Sequence, residues 1–125
     1  MTGTTTLELP RRAGCAGIAR MVVTAHGDEL SPERLKSARL MVSELVTNAF
    51  KHGRGQIRLT VRSEDGGLSA EVDDEGGAIE GTERRERGGW GLQFVARLSD
   101  EWGVDPAHAR VWFRLWGATS RSLAG

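Results

Sequence analysis

The stretch SELVTNAFKHG, from Ser43 to Gly53, carries the strongest fold signal in the chain. Its apolar residues recur at helical spacing, and Gly53 is a typical helix terminator, so we predict the end of a packed helix. Glu44 and Asn48 interrupt the apolar pattern four residues apart, which places them about 40° from each other along one border of the buried stripe. A carboxylate and an amide that share this border indicate a functional site.

The helix that contains this stretch begins well upstream of it. Ser31 is the predicted N-cap, Pro32 occupies the first helical position, and Glu33 follows in the first turn. Apolar residues spaced three and four apart form its predicted buried stripe: Leu35, Ala38, Val42, Leu45, Val46 and Ala49. Another helix is predicted before it, from about residue 11 to residue 26, with Gly27 as its stop.

After Gly53 the apolar period changes to two, which indicates strands. Two strands, near 57–62 and 68–74, flank EDGG at 64–67, a typical hairpin turn. The alternation places Asp74 on the apolar face of the second strand, where a carboxylate needs a hydrogen-bond donor. Strand alternation sends Asp73 to the opposite face, which argues against a carboxylate metal cluster there.

The remaining elements complete an α+β pattern. TLELP at 6–10 predicts a first strand, LQFVARLSDEWG at 92–103 a third helix, and ARVWFRLW at 109–116 a last strand. The order β-α-α-β-β-loop-α-β-β predicts a two-layer sandwich in which about three helices cover one face of a mixed, mostly antiparallel sheet. We expect one domain over residues 1–125, with an ordered core at about 7–116 and loose ends at 1–6 and 117–125.

Bulk composition argues against several classes of protein. Seventeen Lys and Arg balance seventeen Asp and Glu, which disfavours a general nucleic-acid binder, although a local basic patch remains open. No signal-peptide core and no apolar run of roughly 18 residues is present. Cys15 is the single cysteine, and the three histidines lack metal-ligand spacing. We therefore expect a cytoplasmic protein that has no zinc site and binds neither membranes nor nucleic acid directly.

Three separated features are expected to meet in one crevice: the Glu44 and Asn48 border, Asp74, and the glycine-rich segment 88–91. Backbone N–H groups of a glycine-rich helix start favour phosphate oxygens. An amide oxygen such as that of Asn48 suits Mg²⁺, Asp74 suits the amino group of adenine, and Glu44 can take a proton from an attacking oxygen. Together these features predict an ATP site for phosphoryl transfer.

Neighbouring residues extend the candidate site. Lys51 and His52 follow Asn48 by three and four residues and are candidates for a phosphate contact. The loop 75–91 carries three arginines that either neutralise phosphate, meet an acidic partner or are simply solvated: Arg84, Arg85 and Arg87.

The motifs of this chain resemble those of the GHKL ATPase superfamily. ELVTNAFKHG resembles the N-box, EVDDEGGA the first glycine box, and GGWGLQFVARLSDEWG the second glycine box. Within the superfamily, the chain is most similar to the stand-alone anti-sigma-factor serine/threonine kinases of actinobacterial type, over about residues 7–116. The resemblance implies a Bergerat-type fold and an Mg²⁺-ATP-dependent kinase that phosphorylates a serine on a small anti-sigma-factor antagonist and also binds a sigma factor.

The resemblance also implies a role for each motif residue. Glu44 corresponds to the catalytic base, Asn48 to the Mg²⁺ ligand, and Asp74 to the adenine-recognition carboxylate. Gly76 shapes the turn beneath the adenine. The implied phosphate contacts fall on the second glycine box: Gly88, Gly89, Trp90, Gly91 and Leu92.

Three departures from the family pattern qualify this reading. Ala78 stands where a second glycine is usual, which predicts a stiffer lid hinge. Arg110 stands where Thr often supports adenine through a water, which puts that contact in question. The chain has no room for the dimerising helix of histidine kinases, which argues against their style of autophosphorylation.

Two further functions and one surface stay open. The chain could be a nucleotide-sensing module that binds a sigma factor or other regulator without phosphoryl transfer, or a plain ATP hydrolase, although it lacks the transducer domain of large GHKL machines. Trp112 and Trp116 share the outward face of the last strand and are candidates for a partner or homodimer surface.

Overall fold

The computed structural model describes residues 2–76 and 92–117. Strand β1 is followed by two helices, a hairpin of two strands, a short helix and two final strands, which confirms the predicted order. The bounds are β1 (Gly3–Leu9), α1 (Cys15–His26), α2 (Pro32–His52), β2 (Ile57–Glu64), β3 (Gly67–Asp73), α3 (Leu92–Leu98), β4 (Glu101–Asp105) and β5 (Arg110–Leu115), with a 3₁₀ turn, Pro106–His108, before β5.

The strands form one sheet in the order β1-β2-β3-β5-β4. Every neighbouring pair among the described residues is antiparallel, so the expected mixed character of the sheet is wrong for this part of the chain. The β2–β3 hairpin closes at Glu64 and Gly67. Asp65 and Gly66 both have positive φ, 50° and 78°, as the tight two-residue hairpin turn requires.

The three helices of the described ranges lie on one face of the sheet, and the core fills the space between the two layers. Alternating residues of β5 point into it: Val111, Phe113 and Leu115 are buried, with Phe113 at 0% exposure. Burying a side chain of this size stabilises the fold by about 1.5–3 kcal/mol. The α+β class and the helical layer are therefore confirmed. No helix in the described ranges is long and apolar enough to cross a bilayer.

Helix α2 begins and ends where its sequence signals predict. The Ser31 hydroxyl accepts a hydrogen bond from the Arg34 N–H at 3.2 Å, and Pro32 occupies the first turn. Such an N-cap typically contributes about 1 kcal/mol. Five of the six predicted stripe residues are buried and Leu35 is half-buried. Gly53 ends the helix, and its N–H donates to the Ala49 carbonyl at 3.0 Å.

Several predicted boundaries are wrong. Residues 3–6, expected to be loose, belong to β1, which pairs with β2 from Gly3↔Ser63 to Leu9↔Ile57. Helix α1 begins at Cys15 rather than near residue 11.

The helix predicted within 92–103 ends at Leu98, and residues 101–105 form β4 instead. Asp100 separates the two, with its N–H donating to Arg114 O and its Oδ2 accepting from Trp116 N–H, 3.0 and 2.8 Å. The predicted loose end at 117–125 lies outside the described residues except for Gly117, which is buried.

Candidate functional site

Helix α2 carries the carboxylate and amide that the sequence singled out. Asn48 is only 7% exposed, and Glu44, one turn earlier on the same helix, is half-buried. Buried neighbours on both sides hold the backbone of this turn in the core, so both side chains start from a rigid element. Lys51 and His52 lie in the last turn of α2 and are exposed.

Asp74 lies directly after β3 and meets the end of α2. Its backbone N–H donates to the Ala109 carbonyl at 3.2 Å, and its Oδ1 accepts from the Gly76 N–H at 2.6 Å. A side chain on Gly53 would overlap the Asp74 carboxylate. The absence of a side chain at position 53 is therefore what lets this carboxylate approach the helix end.

The surroundings of Asp74 act on its charge in opposing directions. Burial raises the pKa of the Asp74 carboxyl above its ordinary value, and the charge of Asp73 adds to this. The Gly76 N–H and the guanidinium groups of Arg11 and Arg54 lower the same pKa, without cancelling the effect of burial. A carboxyl group whose pKa is shifted by burial and by specific neighbouring charges is a candidate functional group.

The loop after α2 interlocks with the segment after β3. The Arg54 carbonyl accepts from the Glu75 N–H at 2.9 Å, and the Glu75 carboxylate accepts from the Gln56 N–H at 2.6 Å. Gly55 has φ +70° and faces Glu75, and Gly76 has φ +119°. Both conformations favour glycine, whereas the role of Gly76 beneath the adenine stays a prediction.

Arg11 is the main contributor that the sequence reasoning missed. Its Nε donates to the Gly55 carbonyl at 2.8 Å, and its Nη1 donates to the carbonyls of Ala49 and Phe50 at 3.0 and 2.9 Å. These partners lie 38 to 44 residues further along the chain. Local sequence patterns do not predict contacts at such separations. The sequence predicted only that a helix starts near this position.

The other predicted site residues divide into two groups. Leu92 is buried as the first residue of α3, which packs against α2. The phosphate-binding and lid positions lie outside the described residues: Ala78, Arg84, Arg85, Arg87, Gly88, Gly89, Trp90 and Gly91. Their assigned roles stay predictions.

Arg110 and Asp73 lie on the sheet face that the helices leave open. Arg110 Nη2 is 3.7 Å from Asp73 Oδ2, and Arg58 Nη1 is 3.8 Å from the same oxygen. In the register of β3 and β5, Arg110 pairs with Asp73, while the neighbouring Val111 is buried in the core. Arg110 therefore points away from Asp74.

The predicted exposed tryptophan pair is covered by an arginine. The Arg114 guanidinium lies 5.9 Å from the ring centre of Trp112 and 5.5 Å from that of Trp116, a separation at which cation–π attraction operates. Both rings are half-buried, so packing on the sheet accounts for them. A homodimer through this face stays a prediction.

Comparisons with known proteins agree on one relationship. The profile of the histidine kinase-like ATPase domain matches residues 10–115. A protein named anti-sigma F factor from Clostridium acetobutylicum is 33% identical over 104 residues, covering 70% of this chain and 73% of the relative. The anti-sigma F factor of Geobacillus stearothermophilus is 31% identical over 113 residues, covering 76% and 77%.

A solved structure has the same fold. The crystal structure of the RsbU and RsbW domains of a Mycobacterium tuberculosis protein matches with a TM-score of 0.67 at 20% identity. The match covers 90% of this chain and 31% of that one, so the chain spans about a third of the solved protein. At this identity the likeness concerns the fold alone.

Proposed function

The chain belongs to the histidine kinase-like ATPase family, and from this membership we propose that it is an Mg²⁺-ATP-dependent serine/threonine protein kinase acting as an anti-sigma, partner-switching regulator. Family membership makes ATP the expected nucleotide. The observation that carries the proposal is the seating of the Asp74 carboxylate against Gly53, at the end of the helix that bears Glu44 and Asn48. The relatives named anti-sigma F factor support the choice of regulator.

Asp74 is assigned to adenine. The Gly76 N–H donates to Oδ1 of this carboxylate and Oδ2 lies against Gly53, so the carboxylate is held in place to accept a hydrogen bond from the adenine amino group. A hydrogen bond to a charged group contributes about 1.5–3 kcal/mol, so Asp74→Asn should weaken ATP binding by roughly ten- to a hundredfold. Tight ATP binding in that variant would contradict the site assignment.

Asn48 is assigned to Mg²⁺. Its amide oxygen is a hard ligand of the kind that Mg²⁺ accepts, and Mg²⁺ usually combines one or two protein ligands with waters and substrate phosphates. Among the described residues, no group of three or more His, Cys, Asp and Glu side chains is arranged to hold a metal. Asn48, which is 7% exposed on the same helix as Glu44, fits the role of the single protein ligand, with phosphate oxygens as further ligands. When bound, Mg²⁺-ATP supplies the phosphoryl group and neutralises part of its charge.

Glu44 is assigned to the transfer step. Its carboxylate takes the proton of the serine hydroxyl while that oxygen forms its bond to the γ-phosphorus. The bond between the γ-phosphorus and the bridging oxygen breaks, and ADP leaves with its electron pair. The substrate is a serine on a small anti-sigma-factor antagonist, and the sigma factor is the second partner.

Label transfer from γ-labelled ATP, with Mg²⁺, in an extract of the host tests the proposal. The unaltered protein should label a small protein that Glu44→Ala leaves unlabelled, whereas both should bind ATP equally in calorimetry. Labelling by both proteins would refute the role of Glu44.

The same experiment separates the alternatives. ATP binding without any labelled protein would favour the nucleotide-sensing module, in which a partner is retained rather than phosphorylated. Release of labelled inorganic phosphate alone would favour the hydrolase.

A further inference from the structure

Arg11 joins three segments that surround the Asp74 carboxylate. It follows Pro10 in the connection between β1 and α1, yet its guanidinium contacts the last turn of α2 and the loop beyond it. The acceptors are the carbonyls of Ala49, Phe50 and Gly55, at 2.8 to 3.0 Å. The last carbonyls of a helix run short of intrahelical donors, so Arg11, which donates to two of them in α2, acts as a side-chain cap of that helix.

The capped turn is the one on which Asp74 is seated. Gly53 N–H donates to the Ala49 carbonyl, and Arg11 Nη1 donates to that same carbonyl. Gly53 in turn presents the bare backbone that accommodates the Asp74 carboxylate. A shift of the α2 end would therefore move the surface against which Asp74 packs.

Arg11 also places a positive charge near the Asp74 carboxylate. The C-terminal end of a helix carries partial negative charge that disfavours a nearby carboxylate, and burial already raises the pKa of Asp74. Three other charged groups lie near this carboxylate: Asp73 on the opposite sheet face, Arg54, and Glu75, the last of which is bound to the Gln56 N–H. A guanidinium group is a permanent cation in proteins.

We propose that Arg11 is a positioning residue for adenine recognition, which holds the end of α2 against which Asp74 packs and places a guanidinium charge near the carboxylate that accepts the adenine amino group. This inference rests on the proposed ATP site. It adds a residue to that site that lies outside the three family motifs.

Calorimetric binding of Mg²⁺-ADP from about pH 5 to about pH 8 tests the inference. Arg11→Gln removes the charge, Arg11→Lys keeps the charge but loses the planar fork, and Arg12→Gln is the control at an exposed neighbour. We expect Arg11→Gln to weaken binding by about three- to tenfold at the acidic end, an effect limited by the exposure of Arg11. The loss should shrink as pH rises, because Asp74 is ionised in both proteins there.

Arg11→Lys should keep most of the pH dependence of the unaltered protein, and Arg12→Gln should bind within about twofold of it. A loss in Arg11→Gln that is the same at every pH would overturn the electrostatic part of the inference and leave a purely structural cap. Equal affinities of Arg11→Gln and Arg12→Gln would overturn it entirely.

Carboxyl NMR of the nucleotide-free protein separates this inference from the proposed function. The Asp74 signal, identified by its absence in Asp74→Asn, should titrate at higher pH in Arg11→Gln than in the unaltered protein. If the unaltered protein fails to bind Mg²⁺-ADP, the proposed function falls, while the titration still decides whether Arg11 keeps Asp74 ionised. An unchanged titration would refute that role whatever the binding result.

Discussion

Gly53→Ala should damage nucleotide binding through a single steric contact. The backbone of Gly53 has φ −83° and ψ −179°, an extended conformation that alanine adopts without strain. The added Cβ would stand 2.8 Å from Asp74 Cγ and 2.7 Å from the Ala49 carbonyl oxygen, and it would overlap Asp74 Oδ2. Any effect must therefore come from displaced neighbours rather than from the backbone of residue 53 itself.

The size of the displacement sets the expected loss. Ordinary contact begins at 3.4 Å and the Cβ would stand at 2.8 Å, so the carboxyl carbon must retreat by about 0.6 Å, and the overlapping oxygen by more. Overpacking of this kind costs about 1–3 kcal/mol of folding stability, and displacements near 1 Å can cost about a hundredfold in function. We expect ATP affinity to fall by roughly ten- to a hundredfold.

Calorimetry with Mg²⁺-ATP and thermal unfolding measure the two effects on the same sample. Gly17→Ala is the matched control, because its added Cβ meets only the end of Arg20 at an ordinary 3.5 Å. That control should bind normally and be slightly more stable, since alanine favours helix. A folded Gly53→Ala protein that binds ATP within about twofold of the unaltered one would refute the steric reasoning.

A double-mutant cycle identifies the displaced group. If Gly53→Ala acts through the Asp74 carboxylate, the stability that it costs should be smaller when Asp74 is already alanine. Equal stability losses in both backgrounds would assign the whole effect to the Ala49 carbonyl.

Two further predictions concern the same corner of the molecule. The raised pKa of Asp74 means that the folded state favours the neutral carboxyl group. The stability that this carboxyl group contributes is therefore largest below the ordinary carboxyl pKa and is lost as pH rises through the raised value. Asp74→Asn should therefore be more stable than the unaltered protein at neutral pH in thermal unfolding scans, and an equal or lower stability would contradict the assigned burial effect. Gly55→Ala places a side chain at φ +70° and against Glu75, which should cost at least about 1–2 kcal/mol in denaturant unfolding. An unchanged unfolding midpoint would show that Glu75 and the loop move aside freely.

The elements that sequence predicted well are those that local signals specify. Helix α2 is one: Ser31, Pro32 and Gly53 each act on backbone groups within a few residues, so their effects can be read in order along the chain. The β2–β3 hairpin is another, because the turn at 64–67 sets its register. The approach of Asp74 to α2 followed from the alternation of β3 together with the family pattern.

The predicted element boundaries were wrong, and site residues were missed, where the hydrogen-bonding partner of a residue is distant in sequence. Residues 3–6 look unstructured alone, but β2 supplies their hydrogen-bond partners, and the hydroxyls of Thr6 and Thr60 lie 3.2 Å apart. The end of α3 at Leu98 likewise depends on contacts of Asp100 with Arg114 and Trp116. Arg11 and Glu75 were missed for the same reason, since hydrophobic period and turn signals report only on neighbours along the chain.

The corner at 53–56 and 74–76 combines two requirements that oppose each other. Adenine recognition needs an ionised carboxylate at the end of α2, where burial and the helix dipole both favour the neutral form. Glycines at 53, 55 and 76 make the approach of the two segments sterically possible, and Arg11 and the Gly76 N–H partly offset the electrostatic cost. The remaining free-energy cost of the ionised Asp74 carboxylate is then a property of the nucleotide-free site. A nucleotide that donates a hydrogen bond to Asp74 would remove it, so binding should stabilise this corner more than the rest of the fold.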